Sequence, residues 1–542
     1  MNNAIFKLER PQNEPARDYA PSSSEAESLI AEIRRQSSIE VEIPLIIGGK
    51  EIKTGNTGKV IMPHDHGHKL GVFHKARKEE VAMAIDAALG ARAKWAAMPW
   101  DDRAAISLKA AELISTKYRD LLNAATILGQ SKNFWQAEID SACEVCDFLR
   151  FNCYNASELF SFMQPVQSYK TFNRVELRPL EGFVYAVTPF NFTAIACNLN
   201  MAPAILGNVT VWKPATASVL SSYYLMKVYK EAGLPDGVIN FVPGGGDVIS
   251  GVVLGHEYFA GLHFTGSNDT FNALWRQISE NLPKYRSYPR IVGETGGKDF
   301  IFAHRSADTD QLSTAIVLGA FEYQGQKCSA SSRSYIPKSI WPETLRKIEE
   351  RVGKIRSGDP TDPKTLVGAV IDEKSFDSIT PYIEAAKKSP DAEVIIGGGS
   401  DKSKGYFIEP TVILCKDPKY ATMETELFGP VMSVYVYDDD KFDETLKICD
   451  ETSVYGLTGS IFAKDKDAIV KATETLKYAA GNFYINDKTT GAMVGQQPFG
   501  GSRASGTNDK VGSAFNLIRW LNPRSVKDNY SPPADVSFPH MG

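Results

Sequence analysis

The chain has 542 residues, more than one hydrophobic core can organise, so two or three domains are expected. With 43% hydrophobic and 23% charged residues and a net charge of -5, it has the balance of an ordinary globular protein. That charge supplies no footprint for nucleic acid or an anionic membrane, and no apolar run reaches the ~18 residues that span a bilayer.

Residues 1–40 read as a polar extension containing Pro21-Ser22-Ser23-Ser24, with acidic residues early and no apolar core of a secretory signal. The segment also lacks the Arg-rich, acid-poor character of a transit peptide. The expected compartment is the cytosol, with the mitochondrial matrix as the alternative for a mature eukaryotic chain. Short strand-like runs follow in residues 42–62. His64, His66 and His68 alternate and would share one face of a strand, which suits a metal; within Pro63-His64-Asp65-His66-Gly67-His68 they read more simply as a polar turn. From Asp101, the apolar positions Ile106, Ala110, Leu113, Ile114, Tyr118, Leu121 and Leu122 recur at helical spacing, with Gly129 as a stop. A second amphipathic helix is expected over residues 134–160. It carries Cys143 and Cys146, formally C-x-x-C, but no second pair or nearby histidine completes a metal site, and none is expected. Seven cysteines at irregular spacing argue for reduced thiols rather than a disulfide framework. In residues 163–180 the alternation Thr171, Asn173, Val175, Leu177 supports the strands of a hairpin.

Between Glu181 and Glu294 the pattern changes to short apolar runs, residues 183–188, 208–212, 238–242 and 261–265, separated by helix-length segments such as 217–232. This is the signature of an α/β fold with a parallel sheet and crossover helices. Ligands on such sheets bind beyond the C-terminal strand ends, which here carry Thr188, Lys213 and Gly266-Ser267. Lys213 suits a ribose or phosphate, or is a snorkelling surface lysine; Ser267 opens a phosphate-binding helix terminus, or is a plain cap. No G-x-G-x-x-G follows any run, so the sheet indicates a nucleotide without naming one. Downstream, Cys328 stands beside Lys327, whose positive charge would help lower the thiol pKa, and Glu294 lies in Gly293-Glu294-Thr295-Gly296-Gly297. A thiol nucleophile with a separate carboxylate base suits thioester chemistry, although buried cysteines and glycine-flanked acids are also common packing features.

Six motifs in order, Val187-Thr188-Pro189-Phe190-Asn191-Phe192, Trp212-Lys213-Pro214, Phe264-Thr265-Gly266-Ser267, Gly293-Glu294-Thr295-Gly296-Gly297-Lys298, Gly325-Gln326-Lys327-Cys328 and Glu426-Leu427-Phe428-Gly429-Pro430, resemble the signatures of the NAD(P)-dependent aldehyde dehydrogenase superfamily. Further stretches, Gln136-Ala137-Glu138-Ile139-Asp140, Phe321-Glu322-Tyr323-Gln324, Gly481-Asn482-Phe483-Tyr484-Ile485-Asn486-Asp487-Lys488 and Gly495-Gln496-Gln497-Pro498-Phe499-Gly500-Gly501, are similar to the branch that oxidises L-glutamate γ-semialdehyde to L-glutamate. The resemblance implies a Rossmann-type cofactor domain (41–162 and 184–296), an α/β catalytic domain (297–500) and a β-rich oligomerisation flap (163–183 and 501–542), after the extension 1–40. It implies Cys328 as nucleophile, Asn191 and the Cys328 amide as oxyanion donors, and Glu294 as the base for thioester hydrolysis. NAD is the implied cofactor, held by Thr188, Lys213, Gly266, Ser267, Asn268, Asp269, Thr270, Glu426 and Phe428. Thr216 stands where many NAD-preferring relatives carry a glutamate, which leaves NADP open on charge. The substrate's α-carboxylate would meet Gly491, Ala492, Ser329 and Lys327, its aliphatic stem Phe192 and Phe499, and its α-ammonium Glu144, unless Glu144 is simply a solvated helix residue. A homo-oligomer and a functional link to a separate proline dehydrogenase are also implied. The rival readings are oxidation of another short ω-semialdehyde and a catalytically silent protein that keeps the fold.

Overall fold

In the computed structural model, which describes residues 7–162 and 164–542, two seven-stranded sheets stand side by side and a two-stranded ribbon projects from them. Met163, the expected start of the flap, and the first six residues of the extension lie outside the described residues. The apolar runs of the first sheet form the parallel strands Phe183–Val187, Thr210–Lys213, Ile239–Phe241, Phe259–Thr265 and Arg290–Glu294. Phe183–Val187 is buried at every position, as expected of a strand covered by helices on both faces. In space the order runs Arg290–Glu294, Phe259–Thr265, Phe183–Val187, Thr210–Lys213, Ile239–Phe241, with Leu45–Ile47 added antiparallel and Lys50–Ile52 at the edge. The chain therefore starts in the middle, winds outward, then crosses back. The switch lies between Phe183–Val187 and Phe259–Thr265, where such sheets bind ligands.

Arg290–Glu294 is the last strand of this sheet, and after four intervening residues Asp299–Ala303 enters the second one. There Asp299–Ala303 pairs in parallel with Ser331–Pro337 and Thr458–Phe462, and the sheet continues to Asn482–Ile485 on one side and to Val431–Tyr437, Thr411–Cys415 and antiparallel Ala392–Ile396 on the other. One short connection thus joins the C-terminal edge of the first sheet to the N-terminal edge of the second. The ribbon pairs Thr171–Pro179 with Leu521–Asn529 over nine residues each, so among the described residues the stretch expected to form a hairpin supplies one strand and its partner comes from the C-terminal segment.

Three local expectations need correction. The helical pattern from Asp101 forms two helices, Trp100–Ser115 and Arg119–Gln130, separated at Thr116 to Tyr118 without a glycine or proline to mark the break. The helix expected over 134–160 contains a π-helical segment, Glu138–Glu144, which widens the turn between Phe134–Ala137 and Val145–Phe162. The extension is not a loose polar tail. Residues 24–37 form a helix that buries Leu29 and Ile33, and Tyr19 is buried with its hydroxyl on Glu138. Pro63 and His64 do form a turn, with His64 buried in it, while His66 and His68 lie on the strand Asp65–His74; the π-bearing run keeps Cys143 and Cys146 buried. Among the described residues no cluster of three or more His, Cys, Asp or Glu is arranged to hold a metal, and no helix is long and apolar enough to cross a membrane.

Candidate active site

Cys328 is half-buried, whereas the other six cysteines are fully buried. The chain reaches it through Tyr323, Gln324 and Gly325, three consecutive residues in the left-handed region with φ of 51°, 56° and 67°. Non-glycine residues there cost about 1–2 kcal/mol each, so the turn must be held from outside. Gln324 donates to the Ser131 carbonyl at 2.9 Å and the Ala369 carbonyl at 2.8 Å, and Gln326 accepts from the Ile371 amide at 2.8 Å. Gly325 is required twice over, because a Cβ there would also lie 2.2 Å from the Gly429 carbonyl oxygen. The result is a bent peptide that presents Cys328 at the N-terminal edge of the second sheet.

Glu294 ends its strand on the other side of this gap. It is buried; one carboxylate oxygen accepts from the Gly501 amide at 3.3 Å and the other has no partner among the described residues. Burial pushes its pKa well above the ordinary carboxylate range, against the opposing effects of the Gly501 hydrogen bond and Lys510. Burial also pushes the Cys328 thiol well up, and the acids Asp299, Glu426 and Glu294 add to it. The expected activation by Lys327 is absent. Its ammonium turns to Glu322 at 3.0 Å, which also holds Lys488 at 2.9 Å. Although burial opposes it, that pair of lysines holds the Glu322 carboxyl down to about 2. The thiol is therefore surrounded by acids rather than by a free cation.

Asn191 is buried and donates to the Gln326 carbonyl at 3.1 Å, which ties it to the nucleophile's turn. Its neighbour Phe192 begins the helix Thr193–Ile205 but offers no side-chain cap. Asp140 supplies the cap from the π-helical segment, accepting from the Thr193 and Ala194 amides at 2.9 Å each and from Lys132 at 2.7 Å. The Lys132 ammonium lies 4.1 Å from the Phe192 ring centroid and 4.6 Å from that of Tyr323. Lys132 does not stand out in the sequence, and Asp140 enters only as the last residue of the stretch Gln136-Ala137-Glu138-Ile139-Asp140, with no role assigned to it. Glu144 is half-buried rather than solvated, and burial with the nearby Asp140 raises its carboxyl to about 8, while Lys132 and Lys327 pull it down.

The remaining substrate candidates gather on the same side. Ser329 is buried, and its carbonyl accepts from the Thr489 hydroxyl at 2.7 Å, so the turn carrying Gly491 and Ala492 is tied to the residue after the nucleophile. Gly491, Ala492, Phe192 and Phe499 are half-buried, and Phe499 is fixed by two backbone bonds to Val511 of 3.0 and 2.7 Å.

Of the cofactor candidates, Thr188, Lys213 and Gly266 to Thr270 follow strand ends of the first sheet, whereas Glu426 and Phe428 lie in the loop that leads into Val431–Tyr437 of the second. Thr188 follows Phe183–Val187 and accepts from the Trp212 indole at 2.9 Å. Lys213 ends Thr210–Lys213, and burial pushes its ammonium down, with no ion pair to it among the described residues. Gly266 precedes Ser267, which caps the fourteen-residue helix Asn268–Asn281 by accepting from the Thr270 amide; Ser267, Asp269 and Thr270 are exposed. Asn268 points elsewhere, spending its amide on the Ala504 carbonyl at 2.8 Å. Glu426 accepts from the Gly297 amide at 2.8 Å, and burial raises its carboxyl to about 7. Phe428, in the left-handed region at φ 57°, meets Phe190 edge-on at 5.8 Å. A half-buried lysine at a strand end, a serine-capped helix N-terminus and the half-buried Glu426 carboxylate fit the ribose hydroxyls and phosphates of a dinucleotide.

The model described as the aldehyde dehydrogenase family matches residues 51–526. The chain is 50% identical over 540 residues to the mitochondrial delta-1-pyrroline-5-carboxylate dehydrogenase of Dictyostelium discoideum, covering 99% of this chain and 97% of that one. It is 46% identical over 530 residues to the human mitochondrial protein of the same name, covering 98% and 94%. Among solved structures, the delta-pyrroline-5-carboxylate dehydrogenase of Mycobacterium tuberculosis bound with NAD superposes with a TM-score of 0.96 at 46% identity, covering 100% of each chain.

Proposed function

The chain belongs to the aldehyde dehydrogenase family, and from that premise we propose that it oxidises L-glutamate γ-semialdehyde, the open form of Δ1-pyrroline-5-carboxylate, to L-glutamate with NAD. The observation that carries this reading is the pairing of the one cysteine that is not fully buried, Cys328, with the buried, half-unpartnered carboxylate of Glu294, where the two sheets meet. NAD, when bound, supplies the hydride acceptor. Cys328, once deprotonated, attacks the aldehyde carbon, and the Asn191 amide and the Cys328 backbone N–H hold the oxyanion. Loss of hydride leaves the acyl group as a thioester on Cys328. Glu294 takes a proton from water, the resulting hydroxide attacks the thioester carbon, and the thiolate leaves. Aldehyde, NAD and water are thus converted to carboxylic acid, NADH and a proton.

Gly491 and Ala492 would receive the α-carboxylate with Ser329, Phe192 and Phe499 would flank the stem, and Glu144 would face the α-ammonium. Lys327 contributes through its shared ion pair with Glu322 rather than as a free cation. The first sheet serves as the cofactor domain, the second as the catalytic domain and the ribbon as an oligomerisation flap. The substrate comes from an enzyme that oxidises proline, the functional link being to a separate proline dehydrogenase. The mitochondrial relatives set the matrix against the cytosol as the compartment, which fractionation decides.

The test is NADH formation with L-Δ1-pyrroline-5-carboxylate, run beside NADP, succinate semialdehyde and Cys328→Ala. Turnover with NAD that vanishes in the variant supports substrate and nucleophile together. Preference for succinate semialdehyde would keep the chemistry and overturn the substrate.

A further inference from the structure

The segment after Gly491 and Ala492 does not stand alone. Residues 493–497 form a turn in which the Gln496 and Gln497 amides both donate to the Met493 carbonyl at 3.0 Å. Gly495, at φ 80°, lies so close to Phe151 that a Cβ would meet its ring at 2.2 Å, so the turn rests on the helix Val145–Phe162. From outside, residues 10–14 cross over both. Asn13 donates to the Val494 carbonyl at 2.8 Å and to the Asp147 carboxylate at 2.8 Å, and accepts from the side-chain amide of Gln496 at 2.8 Å. Arg10 adds a bond to the Gly495 carbonyl at 3.1 Å, and the Glu14 amide donates to the other oxygen of Asp147 at 2.7 Å.

This arm is itself fastened. The Glu14 carboxylate is nearly buried, with 7% of its side chain exposed, and takes Arg119 at 2.6 Å, Arg150 at 2.6 Å and the Ser115 hydroxyl at 2.7 Å. Arg119 reaches back to the Pro15 carbonyl at 2.7 Å. Charge-assisted bonds in a partly buried setting hold such a crossing far better than surface contacts do. Asp147 lies three residues beyond Glu144 on the same helix run, and Val494 two residues beyond Ala492. Asn13 therefore joins, through one side chain, the element proposed to face the α-ammonium and the element proposed to receive the α-carboxylate.

We propose that Asn13 is a positioning residue for substrate specificity: the N-terminal arm fixes the spacing between the Gly491-Ala492 turn and Glu144, and so sets recognition of the amino-acid end of the substrate without touching it. The proposal rests on the reading of those two elements as the amino-acid site. Nothing in it involves Cys328, Glu294 or the cofactor edge, so its effect is confined to substrates that carry the α-amino acid group.

The test compares wild type, Asn13→Ala and Gln496→Ala with L-Δ1-pyrroline-5-carboxylate and with butanal, which lacks both charged groups, each with NAD. Asn13→Ala is expected to raise KM for the amino-acid substrate about tenfold, since small misplacements of binding groups cost that much or more, and Gln496→Ala to raise it less. The kinetics with butanal, the KM for NAD and the melting temperature are expected to stay near wild type. An unchanged KM for the amino-acid substrate overturns the role of Asn13. Equal losses with both aldehydes and a lowered melting temperature also overturn it, by showing a merely structural contact. A wild type with no preference for the amino-acid substrate over butanal overturns the site reading itself, and the arm's role with it.

Discussion

A buried carboxylate with a bare oxygen is a cost the fold carries only where something else meets that oxygen, and Glu294 is such a group. Its raised pKa makes it a stronger base than a surface glutamate, suited to taking a proton from water. The sign follows directly. Only the ionised form accepts a proton, so thioester hydrolysis should rise as pH climbs through the raised pKa, and rise later than an ordinary carboxylate would allow. Glu294→Gln keeps an acceptor for the Gly501 amide and removes the base. The variant should form NADH in a burst equal to the enzyme concentration and then turn over ~100-fold or more slowly, with the acyl group retained on Cys328 by intact-mass measurement. A full steady-state rate with no burst would remove Glu294 from the hydrolysis step.

The helix Thr193–Ile205 shows how an element is placed by a residue far from it in sequence. Its first residues follow Asn191 and Phe192, its own N-cap position offers no acceptor, and Asp140 closes two amides while pairing with the buried Lys132. Asp140→Ala should cost ~3–5 kcal/mol, mostly from leaving a buried ammonium unpaired, with the lost cap contributing ~1 kcal/mol. The melting temperature and kcat should fall together, because Asn191 rides on the same segment. Adding Lys132→Met to Asp140→Ala should recover much of the melting temperature but not kcat. A double variant that melts no higher than Asp140→Ala would show that the stranded charge is not the cost. None of this was legible in the sequence, where periodicity marks faces and strands but not partners. The strands around the switch point were legible because buried parallel strands are continuous apolar runs, and their ends indicated Lys213, Gly266 and Ser267. The π-helical segment Glu138–Glu144, the docking of Glu14 and Tyr19 and the diversion of Lys327 to Glu322 were not. Each depends on a tertiary contact that offsets what composition suggests: polar residues that look solvated are buried because a partner some hundred residues away, or a neighbour on a bent turn, satisfies them.

At the scale of the molecule, the ribbon is the part least able to stand alone. Two strands without a third or a covering helix are marginal in water, yet Thr171–Pro179 and Leu521–Asn529 pair along their whole length. Their far end gathers apolar surface: the Phe172 ring packs tilted against Tyr530 at 5.3 Å, while Val166 and Tyr169 are 90% and 85% exposed. Such a patch on a two-stranded projection suits burial against another surface, and reading the ribbon as an oligomerisation flap predicts that a second copy of the chain covers it. Replacing Phe172 and Tyr530 together by glutamate puts two charges on that face and leaves both sheets untouched. The wild-type protein should show a multiple of the single-chain mass by light scattering, and the double variant should fall toward the single-chain mass as concentration is lowered. Because Cys328, Glu294 and the cofactor edge lie on the two sheets rather than on the ribbon, the dissociated variant should keep most of its kcat with butanal. A wild type already at single-chain mass, or a variant whose mass does not change, would mean that this face is not where copies of the chain meet.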